Sequence, residues 1–209
     1  MATTRTVIVL AAGSGSRFTA GSHKLDAPFG EQSVLATTLR HAIASHLHVV
    51  VVTTAPFADL ARSSVAARDV ILLPEVASTA QAGLGMGRSI SAGVNARPHA
   101  AGWLILPGDM PLVQPATIQA VARQLDLHPV AYAQYHGKRG HPVGFAAELY
   151  SELVALSGDE GARRLVARYP AFAVELDDPG ILIDIDTDGD LESARRQVPP
   201  ATALRAAGA

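Results

Sequence analysis

Short apolar runs that alternate with helical stretches are the feature that most constrains the fold of this chain. Residues 7–11 form an apolar run typical of a buried strand and lead into a glycine-rich loop, and Ser33 is placed to cap a helix over residues 34–44. The same alternation predicts strands at 49–53, 70–73, 103–106 and 130–134, and helices at 56–63, 85–94 and 115–125. Strands that are apolar on both faces and joined through helices favour a mostly parallel sheet, so we predict a three-layer αβα, Rossmann-like fold.

The second half of the chain has a less regular pattern. We predict a turn or mobile loop at 137–140, a short extended piece at 141–145, helices at 146–156, 161–168 and 189–197, and strands at 171–176 and 181–185. No internal repeat or long linker divides the chain. We therefore expect residues 1–197 to form one domain, followed by a disordered tail over 198–209.

The composition indicates a folded protein with a large core and excludes several kinds of chemistry. Of its 209 residues 48% are apolar and 17% are charged, and 17 basic residues nearly balance 19 acidic ones. The absence of cysteine excludes disulfides, thiolate catalysis, Cys-ligated zinc and iron–sulfur clusters. No apolar run approaches the roughly 20 residues of a membrane span, and the first residues show no export signal. We expect a soluble, cytoplasmic protein with no nucleic-acid or membrane partner.

The loop after the first strand, Leu10-Ala-Ala-Gly-Ser-Gly-Ser-Arg17, combines small residues with a cation, and Lys24 follows seven residues later. Small residues let backbone N–H groups approach an anion. Phe18 stands where a dinucleotide fingerprint requires glycine, and no Walker-type Gly-Lys-Ser/Thr occurs. Lys24 is also one of only two lysines beside fifteen arginines, which suggests a position that arginine does not fill. The pair of cations suits a polyphosphate, and the alternative is a plain strand-to-helix turn.

A second motif, Leu106-Pro-Gly-Asp-Met-Pro111, ends the fourth predicted strand. Its aspartate, Asp109, lies between Gly and Pro turns, where it is poorly placed for packing. Mg²⁺ is usually bound by one or two carboxylates together with substrate phosphates, so Asp109 is a candidate metal ligand. The alternative is an aspartate that caps the turn.

A third motif, residues 183–190, is rich in aspartates. Strand alternation would point Asp184 and Asp186 to one side, and we favour Asp186 as a second metal ligand. The segment lacks the spacing and the terminal glutamate of a calcium-binding EF-hand. The alternative is helix N-capping, for which the candidates are Thr187, Asp188 and Asp190.

In this order the motifs resemble those of the MobA-like nucleotidyltransferase superfamily. The resemblance begins with the Leu10–Arg17 loop, its downstream Lys24, and Leu106-Pro-Gly-Asp-Met-Pro111. Four more motifs are similar to the molybdenum cofactor cytidylyltransferase branch: Gly85-Met-Gly-Arg-Ser-Ile-Ser-Ala-Gly-Val94, Gly140-His-Pro-Val-Gly-Phe145, Gly158-Asp-Glu-Gly-Ala-Arg163 and Asp184-Ile-Asp-Thr187. The resemblance covers residues 7–191 and implies a nucleotidyltransferase sheet.

The resemblance also implies a role for each motif. The backbone of Leu10, Ala11, Ala12 and Gly13 would contact the base and ribose of the nucleotide, and in this superfamily Leu-Ala-Ala-Gly goes with CTP whereas Leu-Ala-Gly-Gly goes with GTP. The other implied residues are Arg17 and Lys24 for the triphosphate, Gly85 and Ser89 for the base pocket, Asp109 with Asp186 or Asp184 for Mg²⁺, and His141, Pro142 and Gly144 for the acceptor. Arg17, Lys24 and Asp109 would be the catalytic residues.

Two departures from the family pattern stand out. Two residues are added between Arg17 and Lys24, which changes the expected geometry of the phosphate loop. Asp188 replaces the proline that usually follows Asp-Ile-Asp-Thr, which leaves the start of the last helix open.

The resemblance implies a Mg²⁺-dependent transfer of CMP from CTP to a phosphorylated pterin that carries molybdenum, with a molybdoenzyme as a further partner. The closest alternative keeps the fold and changes the NTP or the acceptor. A second alternative is a non-catalytic nucleotide- or pterin-binding chaperone. A nicotinamide-dependent oxidoreductase is disfavoured by Phe18, and His41, His46 and His48 have no metal-ligand spacing.

Overall fold

A seven-stranded sheet forms the centre of the protein. The computed structural model describes residues 4–13, 23–74 and 85–197. In chain order the elements are β1 (Thr6–Ala11), β2 (Pro28–Phe29), β3 (Gln32–Ser33), α1 (Val34–Ala44), β4 (His48–Thr53), α2 (Ala58–Ser64), β5 (Val70–Leu72), α3 (Met86–Asn95), β6 (Gly102–Pro107), α4 (Pro115–Gln124), β7 (Val130–Tyr135), β8 (Lys138–Ala146), α5 (Tyr150–Val154), α6 (Arg163–Arg168), β9 (Ala171–Glu175) and α7 (Asp188–Arg195). Short 3₁₀ helices lie at Ala55–Phe57, Ala67–Asp69, Ala147–Leu149 and Pro179–Leu182.

The strand order is β5-β4-β1-β6-β8-β7-β9, and β2 and β3 form a separate small hairpin. Only β8 runs against its neighbours, because it pairs antiparallel with both β6 and β7 while the other pairs of the large sheet are parallel. The carboxyl ends of the six remaining strands therefore lie at one rim of the sheet. The predicted mostly parallel arrangement is confirmed.

Helices cover both faces of the sheet and complete three layers. Alternate residues of β1 enter different cores, with Val7 and Val9 on one face and Ile8 on the other. The first face is covered by apolar residues of α1, α2 and α4, and the second by residues of α3, α5 and α6. Strands buried on both faces explain why each of these segments reads as a continuous apolar run.

The first half of the chain follows the sequence predictions closely. The helix α1 begins and ends where we predicted, and the Ser33 hydroxyl accepts a hydrogen bond from the Ala36 N–H at 3.3 Å. The predicted helix at 56–63 is a 3₁₀ turn followed by α2. The hairpin of β2 and β3 was not predicted, because strands of two residues carry no periodic signal.

Residues Lys138–Ala146 form β8, a nine-residue strand inside the sheet. The predicted extended piece at 141–145 is part of this strand, whereas the predicted turn at 137–140 is wrong for the three residues after Gly137. The reversal is confined to His136 and Gly137, whose φ values are +48° and +73°. Two consecutive residues with positive φ make the tight hairpin turn that matches strand twist.

The predicted strand at 181–185 is also wrong. Residues Pro179–Leu182 form a 3₁₀ helix, and the chain then passes outside the sheet. Both Ile181 and Ile185 are fully buried, so the alternating apolar pattern reflects packing onto the cores rather than strand pairing. The 3₁₀ helix crosses β8 closely: a Cβ on Gly140 would lie 2.2 Å from the Ile181 carbonyl oxygen, and glycine is required there.

A buried carboxylate, Asp178, holds this crossing in place. One carboxylate oxygen accepts hydrogen bonds from the Gln114 N–H at 3.0 Å and the Thr117 hydroxyl at 2.5 Å. The other oxygen accepts from the Gly180 N–H at 3.0 Å. Asp178 therefore joins the start of α4 to the 3₁₀ helix and fixes the path of the chain that follows.

No helix in residues 4–13, 23–74 or 85–197 combines the length and the apolarity needed to cross a membrane. The predicted tail over 198–209 lies outside the described residues.

We predict that Asp178→Ala lowers the free energy of unfolding by about 2–4 kcal/mol, because three donors around a buried position lose their acceptor. Urea unfolding followed by circular dichroism measures the effect. The adjacent, exposed Asp177→Ala is the matched control and should change stability by less than about 0.5 kcal/mol. Equal effects of the two substitutions would contradict the role of Asp178.

Candidate active site

The carboxyl ends of β1 and β6 bring two of the sequence motifs together. The two strands are parallel neighbours with Leu10 opposite Pro107, and the Gly108 N–H donates a hydrogen bond to the Leu10 carbonyl oxygen at 2.8 Å. The Thr38 hydroxyl of α1 donates to the Gly108 carbonyl oxygen at 3.0 Å. These bonds fix the turn after β6, so that Asp109 lies directly beside the end of β1.

Lys24 lies between two carboxylates from distant parts of the chain. Its Nζ is 2.6 Å from Asp109 Oδ2 and 2.7 Å from Asp186 Oδ1. The three side chains are only 12%, 16% and 24% exposed, respectively. The structure therefore joins Lys24, Asp109 and Asp186, which sequence reasoning selected separately, in one half-buried ion cluster.

The two carboxylates outweigh the effect of burial on Lys24. Desolvation alone would lower the pKa of the ammonium, but the charges and hydrogen bonds of Asp109 and Asp186 together raise it above 10.5. Lys24 is therefore a cation at neutral pH. Asp109 keeps a further oxygen, Oδ1, that is buried and accepts no hydrogen bond within the part of the chain that the structure describes.

The segment after the 3₁₀ helix brings Asp186 to the rim. The Ile185 N–H donates to the backbone carbonyl oxygen of Asp109 at 3.0 Å. Immediately afterwards, Thr187 caps α7 and forms a capping box with Asp190. The hydrogen bond from the Thr187 hydroxyl is the main cause of the lowered pKa of Asp190. Asp190 therefore has the capping role that the sequence analysis kept as an alternative.

Asp184 and Asp186 have different surroundings. Their segment is not a strand, so strand alternation does not point the two side chains to one side. Asp186 contacts Lys24, whereas Asp184 is exposed and its charge acts on His141. Asp188 is the first residue of α7, a position where the family's usual proline also fits well, so the departure there is compatible with the helix start.

The donor set at this rim fits a small, hard divalent cation. Two carboxylate oxygens that share one ammonium are close enough to share one metal ion, and Asp109 Oδ1 is an additional buried acceptor. The described residues contain no group of three or more His, Cys, Asp or Glu side chains that could hold a metal. Such a pair suits Mg²⁺, which takes one or two protein carboxylates and completes its shell with water and substrate phosphates.

The motif at the end of β1 is only partly available to a ligand. The Leu10 carbonyl accepts from Gly108, and the Ala11 carbonyl accepts from the Thr53 hydroxyl at 3.2 Å. Ala12 and Gly13 follow the strand directly. Arg17, predicted for the triphosphate, lies outside the described residues.

His23 is a residue that sequence reasoning missed. Its Nδ1 accepts from the Leu25 N–H at 3.2 Å, and its Nε2 lies 3.0 Å from the Gly13 carbonyl oxygen. An imidazole that accepts at Nδ1 carries its proton on Nε2, so His23 donates to Gly13. The ring also packs edge-on against Phe57 with centroids 4.6 Å apart. His23 thus links Gly13 of the glycine motif to Leu25, the residue after Lys24. No sequence pattern marks His23 for this role.

Two further motifs meet at the start of α3. The Gly87 N–H donates to the Gly158 carbonyl oxygen at 2.9 Å. A Cβ on Gly85 would lie 2.5 Å from the backbone carbonyl oxygen of Gly158, so only glycine allows this approach. Ser89, in the same helical turn, is 9% exposed. The Gly158–Arg163 motif therefore supports the segment predicted to border the base.

The predicted acceptor residues lie along β8. Ile105 pairs with Val143, and continuing this antiparallel register places His141 beside Pro107 at the rim. Burial, with a contribution from the Arg139 charge, lowers the pKa of His141 to about 4, so its imidazole is neutral at pH 7. Pro142 is buried, and Gly144 lies further along the strand, opposite Leu104 in the middle of the sheet. The structure thus brings His141 to the rim and does not bring Gly144 there.

The chain matches known proteins over most of its length. The purine catabolism protein PucB of Bacillus subtilis is 31% identical over 205 residues, which represent 90% of this chain and 95% of PucB. The crystal structure of Rv0371c from Mycobacterium tuberculosis H37Rv has a TM-score of 0.80 at 27% identity and covers 94% of this chain and 100% of that one. Rv0371c in complex with manganese has a TM-score of 0.74 at 25% identity, with the same coverage. A profile of the MobA-like NTP transferase domain matches residues 7–173. With a match over this much of its length, the protein belongs to the MobA-like NTP transferase domain family.

Proposed function

We propose that this nucleotidyltransferase moves CMP from CTP to a phosphorylated pterin that carries molybdenum, with release of pyrophosphate. The observation that carries the proposal is the cluster of Lys24, Asp109 and Asp186 at the carboxyl rim of the sheet. In open α/β sheets ligands bind at this rim. Two carboxylates and a lysine on one small surface suit a nucleoside triphosphate that brings a divalent cation with it.

Asp109 and Asp186 would hold the divalent ion, for which Mg²⁺ is the expected species. When bound, the ion supplies positive charge against the phosphate groups as negative charge builds up on pyrophosphate. The manganese complex of the similar Rv0371c protein supports a divalent cation here. Because Lys24 contacts the same carboxylates, it would lie beside the metal-bound phosphates and could bind them as well.

The transfer needs positioning more than acid–base catalysis. An oxygen of the acceptor's terminal phosphate attacks the α-phosphorus of CTP, a new P–O bond forms, and the bond to pyrophosphate breaks in line. Because the attacking phosphate is already ionised at neutral pH, no general base is required. The family resemblance assigns Arg17 to the triphosphate together with Lys24, and the local motif after β1 to the base and ribose.

The acceptor would approach from the β8 side of the rim. His141 lies there as a neutral imidazole, so it would contact the acceptor as a hydrogen-bonding group rather than as a cation. Pro142 would fix the strand beneath it, and Gly144 would act only indirectly, through its packing inside the sheet. The choice of a pterin, and of delivery to a molybdoenzyme, follows from the resemblance to the cytidylyltransferase branch.

We predict that CTP supports pyrophosphate release better than GTP, ATP or UTP in the presence of Mg²⁺ and molybdopterin. A coupled pyrophosphate assay with each NTP and mass spectrometry of the pterin product measures this preference. Ala12→Gly should reduce the preference for CTP over GTP, because the backbone that reads the base shifts with the residue present. Better use of GTP or ATP by the wild type would overturn the assignment to CTP, and nucleotide binding without release of pyrophosphate would favour a chaperone.

We predict that Asp109→Asn lowers turnover by at least about 10²–10³-fold, the range found when one electrostatic contact to a transition state is removed. Asp186→Asn should have the same direction and a smaller effect. Asp177→Asn changes an exposed aspartate that follows β9, the edge strand three positions from β6 in the sheet order, so this control should keep normal turnover. Circular dichroism must show folded variants, and normal turnover of folded Asp109→Asn would remove this residue from the site.

We predict that His23 positions the nucleotide-binding backbone through Gly13. His23→Ala should raise the KM for the NTP by about tenfold, equivalent to roughly 1.4 kcal/mol for one lost hydrogen bond and its packing. The KM for the acceptor should stay the same. His23→Gln, which can still donate to the Gly13 carbonyl, should recover much of the loss. A purely structural role for His23 predicts equal changes in both KM values and no recovery by glutamine.

A further inference from the structure

Lys24 occupies the position that a divalent ion needs. Its ammonium contacts Asp109 Oδ2 and Asp186 Oδ1 at 2.6 and 2.7 Å, and these are the carboxylates that fit a metal. The lysine side chain is 12% exposed, so the contact is largely shielded from water. Lys24 therefore lies as a cation between the two carboxylates.

Lys24 and a divalent ion compete for the same two carboxylates. Two carboxylates carry two negative charges, and Lys24 already offsets one of them. A divalent ion added beside the ammonium would bring three positive charges together at short distance and partly out of water, where like charges repel strongly, and Asp190, the other carboxylate that interacts with Lys24, is already engaged in the cap of α7. Mg²⁺ binds oxygen at about 2.0–2.1 Å and demands a near-ideal shell, and the oxygens that Asp109 and Asp186 offer are those that hold Lys24 and the buried Oδ1 of the same Asp109 carboxylate, so the ion would lie directly beside the ammonium. Lys24 must leave these oxygens when the divalent ion enters.

The displaced ammonium needs a new anionic partner. A lysine has a flexible four-carbon stem, which lets its charge move without movement of the backbone. A nucleoside triphosphate brings several negative charges to this rim and is the natural partner for the released ammonium. The triphosphate thus supplies what each cation lacks: phosphate oxygens for the metal and a counter-charge for Lys24.

We propose that Lys24 is an internal counter-ion that excludes a divalent metal until a nucleoside triphosphate binds, so that metal and nucleotide enter this site cooperatively. The proposal rests on the proposed function only in assigning a metal-bound triphosphate to the rim. It adds that the lysine, beyond holding phosphate, couples the two ligands. Coupling between two ligands is reciprocal, so the metal must strengthen nucleotide binding by the same factor.

The test compares binding of Mn²⁺ alone, followed by electron paramagnetic resonance, in the wild type and in Lys24→Met. Methionine keeps an unbranched side chain of similar length and removes the charge. We expect Lys24→Met to bind Mn²⁺ alone about tenfold or more tightly than the wild type, within the range usual for coupled sites. Lys138→Met changes the only other lysine, which is exposed at the start of β8, and should bind Mn²⁺ like the wild type.

A second arm repeats the titrations with a CTP analogue whose α,β-bridge is methylene. The analogue should tighten Mn²⁺ binding about tenfold or more in the wild type and in Lys138→Met, and much less in Lys24→Met. Asp109→Asn added to Lys24→Met should abolish the gain, which locates the ion at these carboxylates. Where Lys24→Met does not fold, Lys24→Gln serves instead, because its neutral amide still donates to one carboxylate.

Equal or weaker binding of Mn²⁺ alone by the folded, uncharged variant overturns the proposal. Tight binding of Mn²⁺ by the wild type without nucleotide, unchanged by the analogue, overturns it as well. These results are independent of turnover: absence of pyrophosphate release with every NTP would refute the proposed transfer, while the Mn²⁺ titrations would still decide the role of Lys24.

Discussion

The neighbouring positions of β1 and β6 in the sheet are the constraint on which the site depends. Their parallel register puts the end of one strand beside the end of the other, and the bond from Gly108 to Leu10 locks the two turns together. Asp109 then has a fixed position relative to the end of β1. Because the sheet is covered on both faces by buried apolar residues, this arrangement is as rigid as the core itself.

The ion cluster at the rim depends on all three of its charges. A cation enclosed by two carboxylates has given up much of its water, and such groups contribute little net stability unless their geometry is good. Removing one partner leaves the others without compensation, which explains why each carboxylate matters beyond a single contact.

Much of the fold could be predicted because burial leaves a direct mark on the sequence. The strands β1, β4 and β6 are apolar on both faces, and α1 carries a serine cap, so each has a local signal. The strand β8 has a weaker signal, since Gly140 and Pro142 interrupt it, and its antiparallel pairing depends on the two-residue turn before it. The pattern at 181–185 predicted a strand that does not exist, because its alternating apolar residues pack against the cores without pairing with another strand.

The residues of the site likewise divide into those that carry a local sequence signal and those that do not. Asp109 and Lys24 could be selected from their local motifs, because turn residues and a rare lysine are visible in the sequence. Their contact with Asp186 comes from the topology and could not be read from any one segment. His23 could not be selected at all, because its partners are backbone groups, which every residue has.

The path fixed by Asp178 has a consequence for the order of synthesis: ribosomes deliver the amino-terminal part of a domain first. The nascent chain carries Lys24 and Asp109 long before it carries Asp186, so the cluster is completed only when nearly the whole domain has emerged, and a chain that stalls before that point cannot form the paired carboxylates.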